Sequence, residues 1–188
     1  MSFKLTKTKK NIKSNYKIIC NQIKNSIFSH LGYSFFEQLV RNDIIHVYNI
    51  KRYKSISSII TVINYENYKI INKQIIFFLI IRPIILIQNI FFLIKSLSKR
   101  PNITLNSNYL HLLHLVIFKK DFFNMSLKKK DILFNKFYKE ILKIHKCNIL
   151  FLCFEENNKK AYKYYQRNKF KFFYKKKDII YVKKKYKK

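Results

Sequence analysis

Apolar and polar positions along the 188-residue chain recur with two different periods. Ile44 to Ile50 and Ile56 to Ile63 are β-branched runs separated by KRYKS, which predicts an antiparallel hairpin turning at Lys51 to Lys54. Tyr109 to Phe118 (YLHLLHLVIF) reads as a strand, and Asn148 to Phe154 is short and apolar enough for a strand buried on both faces. Phe170, Phe172 and Tyr174 alternate with Lys171 and Phe173 over 169–175, and a last strand is expected over 178–183. Between these runs the period lengthens. Ile18, Ile19, Ile23 and Ile27 predict a helix over 17–30, and Phe35, Phe36, Leu39 and Val40 predict another over 33–41. Ile132, Leu133, Phe137, Ile141 and Ile144 mark a helix over 128–145 with lysines on its other side. Asn158, Ala161, Tyr162 and Tyr165 share one face of a helix over 158–168, opened by an Asn suited to cap it. Strand and helix periods alternating in this way predict an α/β chain of the α+β kind: one mixed sheet with helices packed on it.

Residues 69–97 interrupt the alternation. IIFFLIIRPIILIQNIFFLI approaches the roughly 20 residues that span a bilayer, but Arg82 and Pro83 stand at its middle. Arg there costs about 2.5–3.5 kcal/mol, and Pro breaks the helix ladder. Two helical pieces meeting at Pro83 are therefore expected, lying over the sheet or its edge and leaving an apolar surface. Residues 1–16 read as a basic flexible arm, 17–183 as a single domain containing an insert at 69–98, and 184–188 as a basic solvated tail.

Composition changes the weight of the charge. Forty Lys and Arg against nine Asp and Glu give a formal net charge of +31. Yet Lys, Asn, Ile, Phe and Tyr crowd the chain while Gly occurs once, the mark of an AT-rich coding sequence. Nonspecific polyanion binding is expected, but lysine is a poor bidentate reader of bases, and Lys–aromatic interleaving such as KFKFFYKKK needs no nucleic-acid explanation. Cys20, Cys147 and Cys153 show no metal spacing, and no metal site is expected. The first residues are basic without a signal-like apolar core.

The stretch Asn148 to Phe173 resembles the C-terminal half of the GNAT superfamily of acyl-CoA N-acyltransferases. The family pattern after an apolar strand is N-x-x-A-x-x-x-Y-x-x-x-G-F; Asn158, Ala161, Tyr165 and Phe170 match it, and Lys169 replaces the Gly. Leu31, Gly32 and Phe35 look like the family's L-G-x-x-F turn. The resemblance implies a mixed, mostly antiparallel central sheet flanked by helices, with an apolar helical insert between strands 3 and 4. It also implies acetyl-CoA as co-substrate. The cofactor's pyrophosphate would lie over the turn Ser126, Leu127, Lys128, Lys129, Lys130 and Asp131, where the family's two glycine positions fall within two residues of Leu127 and Lys129, neither of them Gly, and where three lysines bring positive charge to a helix N-terminus. Its pantetheine arm would meet the backbone of Leu115, Val116, Ile117 and Phe118, while Asn158 and Ala161 would line the arm at the start of their helix. Tyr165 matches the residue that protonates the leaving thiolate. His111 stands where members carry a strand Glu as base; His111 and His114, three apart on a strand, are expected to face opposite sides.

The expected function is direct transfer of an acetyl group from acetyl-CoA to a primary amine, on a small molecule or a peptide. The alternatives are a GNAT-like fold that has lost its reaction, because the Gly-rich turn is degenerate, and a basic membrane-associated protein anchored by 70–97. A cytoplasmic location is expected, with contact to a membrane surface through 69–97. Acceptor and oligomeric state are left open.

Overall fold

The computed structural model describes residues 3–187 apart from 24–25, 53–54, 83, 86, 90 and 92–107. A first strand, β1 (Phe3–Lys7), leads to α1 (Ile12–Gln22), α2 (Ile27–Arg41), β2 (His46–Arg52), β3 (Ser55–Asn64) and α3 (Tyr65–Ile81). Then come β4 (Tyr109–Ile117), a 3-10 turn (Lys119–Phe122), α4 (Leu127–Ile144), β5 (Ile149–Glu155), α5 (Lys159–Arg167), β6 (Lys171–Lys176) and β7 (Ile179–Lys185). The strands form one sheet in the order β1-β2-β3-β4-β5-β7-β6. Among the described residues its only parallel pair is β4 with β5; β1–β2, β2–β3, β3–β4, β5–β7 and β6–β7 are antiparallel. This is the mixed sheet the residue pattern predicts, mostly antiparallel as the family resemblance implies.

Each face of the sheet carries its own core. On one side α1, α2 and α3 bury Ile19, Phe28, Leu31, Phe35, Ile75 and Phe78 against Ile59, Ile63 and Val116. On the other, α4 buries Phe134, Phe137, Tyr138 and Ile141 against Ile60, Val62, Leu110, Leu112, Leu150 and Leu152. Fully burying an apolar side chain of this size contributes about 1.5–3 kcal/mol. A small aromatic group, Phe151 and Tyr181 with Tyr109, Phe173 and Ile179 against them, covers β5 and β7 on the first face.

Several expectations are corrected. The flexible arm expected over 1–16 contains β1, whose five residues pair with Lys7↔Tyr48 to Phe3↔Arg52 and whose Phe3 ring stacks on Phe122 at 5.2 Å. The helix expected over 17–30 is two helices, because the chain leaves α1 at Ile23 and restarts at Ser26, whose hydroxyl accepts from Phe28 N. Lys51 and Arg52, expected in a turn, extend β2. The basic tail is not loose at its start. Lys185 ends β7, and Tyr186 is buried, with its N–H on Asn148 O at 2.8 Å and its hydroxyl on Asn135 Oδ1 at 2.9 Å. The insert begins earlier than expected, since α3 follows β3 with no linker. Residues 84–85, 87–89 and 91 are helical beyond Arg82; Pro83 and residues 92–97 lie outside the described residues.

One glycine has a backbone requirement. Gly32 sits inside α2 at φ 86°, ψ 173°, a region essentially reserved for glycine, and it kinks the helix where the L-G-x-x-F pattern falls. Elsewhere the helix ends do without glycine. Asp43, Lys146 and Lys169 take left-handed φ of 54°, 54° and 60°. After α5, Phe170 N bonds to Tyr165 O at 2.9 Å and Lys169 N to Gln166 O at 3.0 Å, the paired bonds of a Schellman cap.

Candidate active site

The ladder between β4 and β5 is short. It runs from Tyr109↔Ile149 to Leu112↔Leu152 and stops, although β4 continues to Ile117 and β5 to Glu155. The cause is a bulge. Val62 opposes Leu112 and Thr61 opposes His114, so Leu113 has no partner across β3. The extra residue bends β4, and beyond it the two parallel strands part.

The backbone along the parted edge can be assigned. Phe118 N donates to Ser57 O at 3.0 Å, and Val116 O accepts from Ser58 Oγ at 2.6 Å, so Val116 and Phe118 turn their polar groups toward β3. Backbone groups alternate along an antiparallel strand. Those of Leu115 and Ile117 therefore point into the opening. Of the four residues expected to offer backbone to a cofactor, Val116 and Phe118 are already engaged by β3, and only Leu115 and Ile117 face the opening.

The bulge also corrects the histidines. His111 opposes Ile63 and His114 opposes Thr61, and Ile63 and Thr61 are two apart on one face of β3. His111 and His114 therefore lie on the same face, because Leu113 resets the alternation. His114 is a buried structural group. One ring nitrogen meets Ser26 Oγ at 2.9 Å and the other Thr61 Oγ1 at 2.8 Å, and burial lowers its pKa to about 4. His111 is buried with its ring 5.0 Å from that of Phe151, on the last rungs before the strands part.

Tyr165 approaches from the opposite face of the sheet. α5 packs Ala161 and Tyr165 onto the core that α4 covers, and the Tyr165 ring lies 5.3 Å from Phe154 and 5.1 Å from Phe170. Burial first, then Tyr164 and Cys153, raises its pKa well above that of an ordinary phenol, so the hydroxyl holds its proton throughout the neutral range. Asn158 caps α5, its Oδ1 accepting from Ala161 N at 3.0 Å. That bond occupies the carbonyl end of the amide and leaves its NH₂ end to other partners.

The turn before α4 is capped too. Ser126 Oγ accepts from Lys129 N at 3.3 Å. Leu127, Lys128 and Lys129 are exposed, and no acidic residue stands in the first turn. Asp131 faces elsewhere. It forms a two-pronged ion pair with Arg167 of α5, with Nη2 on Oδ1 at 3.0 Å and Nε on Oδ2. Burial alone would raise its pKa; the Arg167 and Asn168 hydrogen bonds outweigh that and hold it below the usual carboxylate value. Asp131 thus ties α4 to α5.

Two residues escaped the sequence reading. Phe151, Cys153 and Glu155 share one face of β5 by its two-residue period, the face of His111. Cys153 and Glu155 follow the last paired rung, where both are exposed. The protein around the Cys153 thiol pushes its pKa up to about 11, so it is a thiol, not a thiolate, at neutral pH. Glu37, Asp43, Asp131, Glu140 and Glu156 are each in an ion pair, whereas Glu155 has none among the described residues. The signal was the strand alternation continued one step past Phe154, into what reads as a polar break.

No protein-family model matches the chain, and no curated protein matches it. Solved structures do. The chain is similar to the N-acetyltransferase PseH of Campylobacter jejuni in complex with acetyl coenzyme A, at 17% identity and a TM-score of 0.57, over 98% of this chain and 99% of that one. It is similar to NAA60 of Arabidopsis thaliana in complex with acetyl-CoA, at 12% identity and a TM-score of 0.57, over 98% of each chain. A GNAT-family acetyltransferase of Listeria monocytogenes matches at 12% identity and a TM-score of 0.53, over 97% of this chain and 94% of that one. The chain has the fold of the GNAT-family acetyltransferases.

Proposed function

We propose that this protein transfers an acetyl group from acetyl-CoA to an amine. The observation that carries the reading is the opening between β4 and β5, with a protonated Tyr165 at one face of the sheet and His111 on the other. The open edge fits a pantetheine arm, because the N–H and C=O groups of Leu115 and Ile117 need partners there. The turn fits a pyrophosphate less well. The Ser126 cap takes one N–H, and the side chains of Leu127 and Lys129 crowd the backbone; Lys128, Lys129 and Lys130 offset this with charge. The NH₂ end of Asn158 and the small Ala161 border the arm at the start of α5. When bound, acetyl-CoA supplies the acetyl group as a thioester.

The chain's own groups then divide the proton work. Attack by the amine forms a C–N bond and breaks the C–S bond; Tyr165 gives its proton to the departing sulfur, and His111 takes the proton that the amine sheds. Glu155 and Cys153 border the path by which an amine reaches the opening. The test is calorimetric titration with acetyl-CoA at moderate salt, followed by turnover on a panel of amines read as release of free thiol. Tyr165→Phe should leave acetyl-CoA affinity nearly unchanged and lower turnover about 10²–10⁴-fold. Unchanged turnover removes Tyr165 from the reaction. Absence of acetyl-CoA binding by the unaltered protein overturns the reading and leaves a fold without its reaction.

The same proposal includes contact with an anionic membrane surface. Ile76, Phe77, Ile80 and Ile81 of α3 and Ile84 and Ile87 after it are each more than half exposed, a patch larger than scattered surface residues produce. A net charge of +31 favours anionic lipid as what covers it. No helix among the described residues is long and apolar enough to cross a membrane. Vesicle flotation distinguishes the cases: binding to anionic but not neutral vesicles, weakened by Phe77→Ser, is expected, and equal flotation of the variant refutes the contact.

A further inference from the structure

A second cavity lies at the other end of β5, about 25 Å along α4 from the Ser126 turn. Its volume is about 490 Å³, and Lys139, Lys143, Lys146 and Lys187 stand around it. Lys139, Lys143 and Lys146 recur at i, i+4 and i+7, so α4 and the turn that ends it present them on one face. The fourth comes from the chain just beyond β7. The floor is apolar: Leu142 and Tyr186 are both buried, and the Tyr186 hydroxyl is turned away to Asn135. Cys147 and Asn148 complete the lining. The Asn148 Oδ1 is buried and has no hydrogen-bond partner among the described residues, which is costly unless a ligand supplies one. No acidic residue lines the cavity, and Glu140 on the same helix is paired with Lys136 at 4.0 Å.

These features are independent of one another. Four ammonium groups without a local carboxylate call for a polyanion, and lysine suits phosphate as a point charge. An apolar floor with an aromatic ring calls for a flat hydrophobic body. An unsatisfied amide end calls for a polar edge on that body. The volume is that of a small-molecule site. We infer that this cavity binds a nucleoside polyphosphate, with its phosphates among Lys139, Lys143, Lys146 and Lys187 and its base on the Leu142–Tyr186 floor, hydrogen-bonded to Asn148. The site is separate from the opening between β4 and β5 and does not depend on acetyl transfer.

A chain carrying +31 attracts any polyanion, so the test must separate a built site from diffuse attraction. The full chain is titrated with ATP and, separately, with inorganic tripolyphosphate, at about 150 mM salt. ATP should bind one to one and at least tenfold more tightly than tripolyphosphate. Lys143→Gln with Lys146→Gln should weaken ATP at least tenfold. Lys13→Gln with Lys17→Gln, which removes the same charge from the exposed face of α1, should leave ATP binding unchanged. Asn148→Ala should weaken ATP while leaving tripolyphosphate unaffected. Equal weakening by the two lysine pairs, tripolyphosphate binding as tightly as ATP, or no ATP binding at all each overturns the inference.

Discussion

Lys169→Gly should stabilise this protein. Lys169 is the residue after the α5 cap, at φ 60°, where a side chain brings Cβ against the following carbonyl. That conformation costs a residue with a Cβ roughly 1–2 kcal/mol relative to its right-handed form, and glycine removes the cost. Against this stands the larger backbone entropy that glycine loses on folding, about 0.5–1 kcal/mol. The side chain itself is exposed, and its ammonium is among the charges that lower the pKa of half-buried Lys184, so its loss also relieves a repulsion. The expected net gain is about 0.5–1 kcal/mol, or a rise in Tm of about 1–4 °C for a chain of this size. Lys169→Ala is the control, since it removes the same charge and keeps Cβ; it should stay within about 0.5 kcal/mol of the parent. The two variants are compared by urea unfolding, with the slope checked for constancy. If Gly and Ala shift stability equally, charge rather than backbone conformation is responsible, and the reasoning fails. A destabilised Gly variant would refute it outright.

Gly32→Ala should act in the other direction. Nothing lies within 4 Å of the Cβ it would add, so the cost is that of φ 86° alone, about 1–3 kcal/mol by thermal unfolding; an unaffected Tm would mean that the α2 kink relaxes freely. Stability should also fall with acid. Burial leads the causes that lower His46, His114 and His145 from 6.5 to about 4. The unfolded chain therefore takes up protons below about pH 6.5 that the folded chain refuses. Stability is full above that pH and declines as the pH falls toward about 4, by about 3 kcal/mol for His114 alone. Urea unfolding at three pH values across that window checks it, and a flat profile refutes the burial of these rings.

Much of the fold was legible because burial and period coincide in it. β2, β3 and β5 are apolar on both faces, and only a central strand under two layers of helix is compatible with that. α4 announces itself by the spacing of Phe137 and Ile141 against lysines. The edge strand β1 was not legible: FKLTK is short and basic, and its pairing is dictated by β2 rather than by its own pattern. Tyr186 was hidden in a lysine run, since its burial depends on Asn135 and Asn148, distant in sequence. At the site, Asn158 and Tyr165 could be read because capping and helix period are local rules. The relation of His111 to His114 could not, because parity counting assumes an unbroken pleat and Leu113 breaks it. Asp131 read as part of an anion-binding turn; its Arg167 partner is 36 residues away and invisible to local spacing.

The bulge at Leu113 has a consequence in genetic terms. Because Leu113 faces no residue of β3, a deletion of that single codon would leave every other β3–β4 pair as it stands, Val62 with Leu112 and Thr61 with His114, and would keep each side chain on its present face. What would change is the bend. A straightened β4 would run alongside β5 past Leu152, bringing the free polar groups of Leu115 and Ile117 within reach of Cys153 and Glu155. In a stretch of strand without a bulge, a one-residue deletion sends every side chain beyond it to the other face. Here it would close the opening and spare the scaffold, so the opening is encoded by one residue that the rest of the fold could lose.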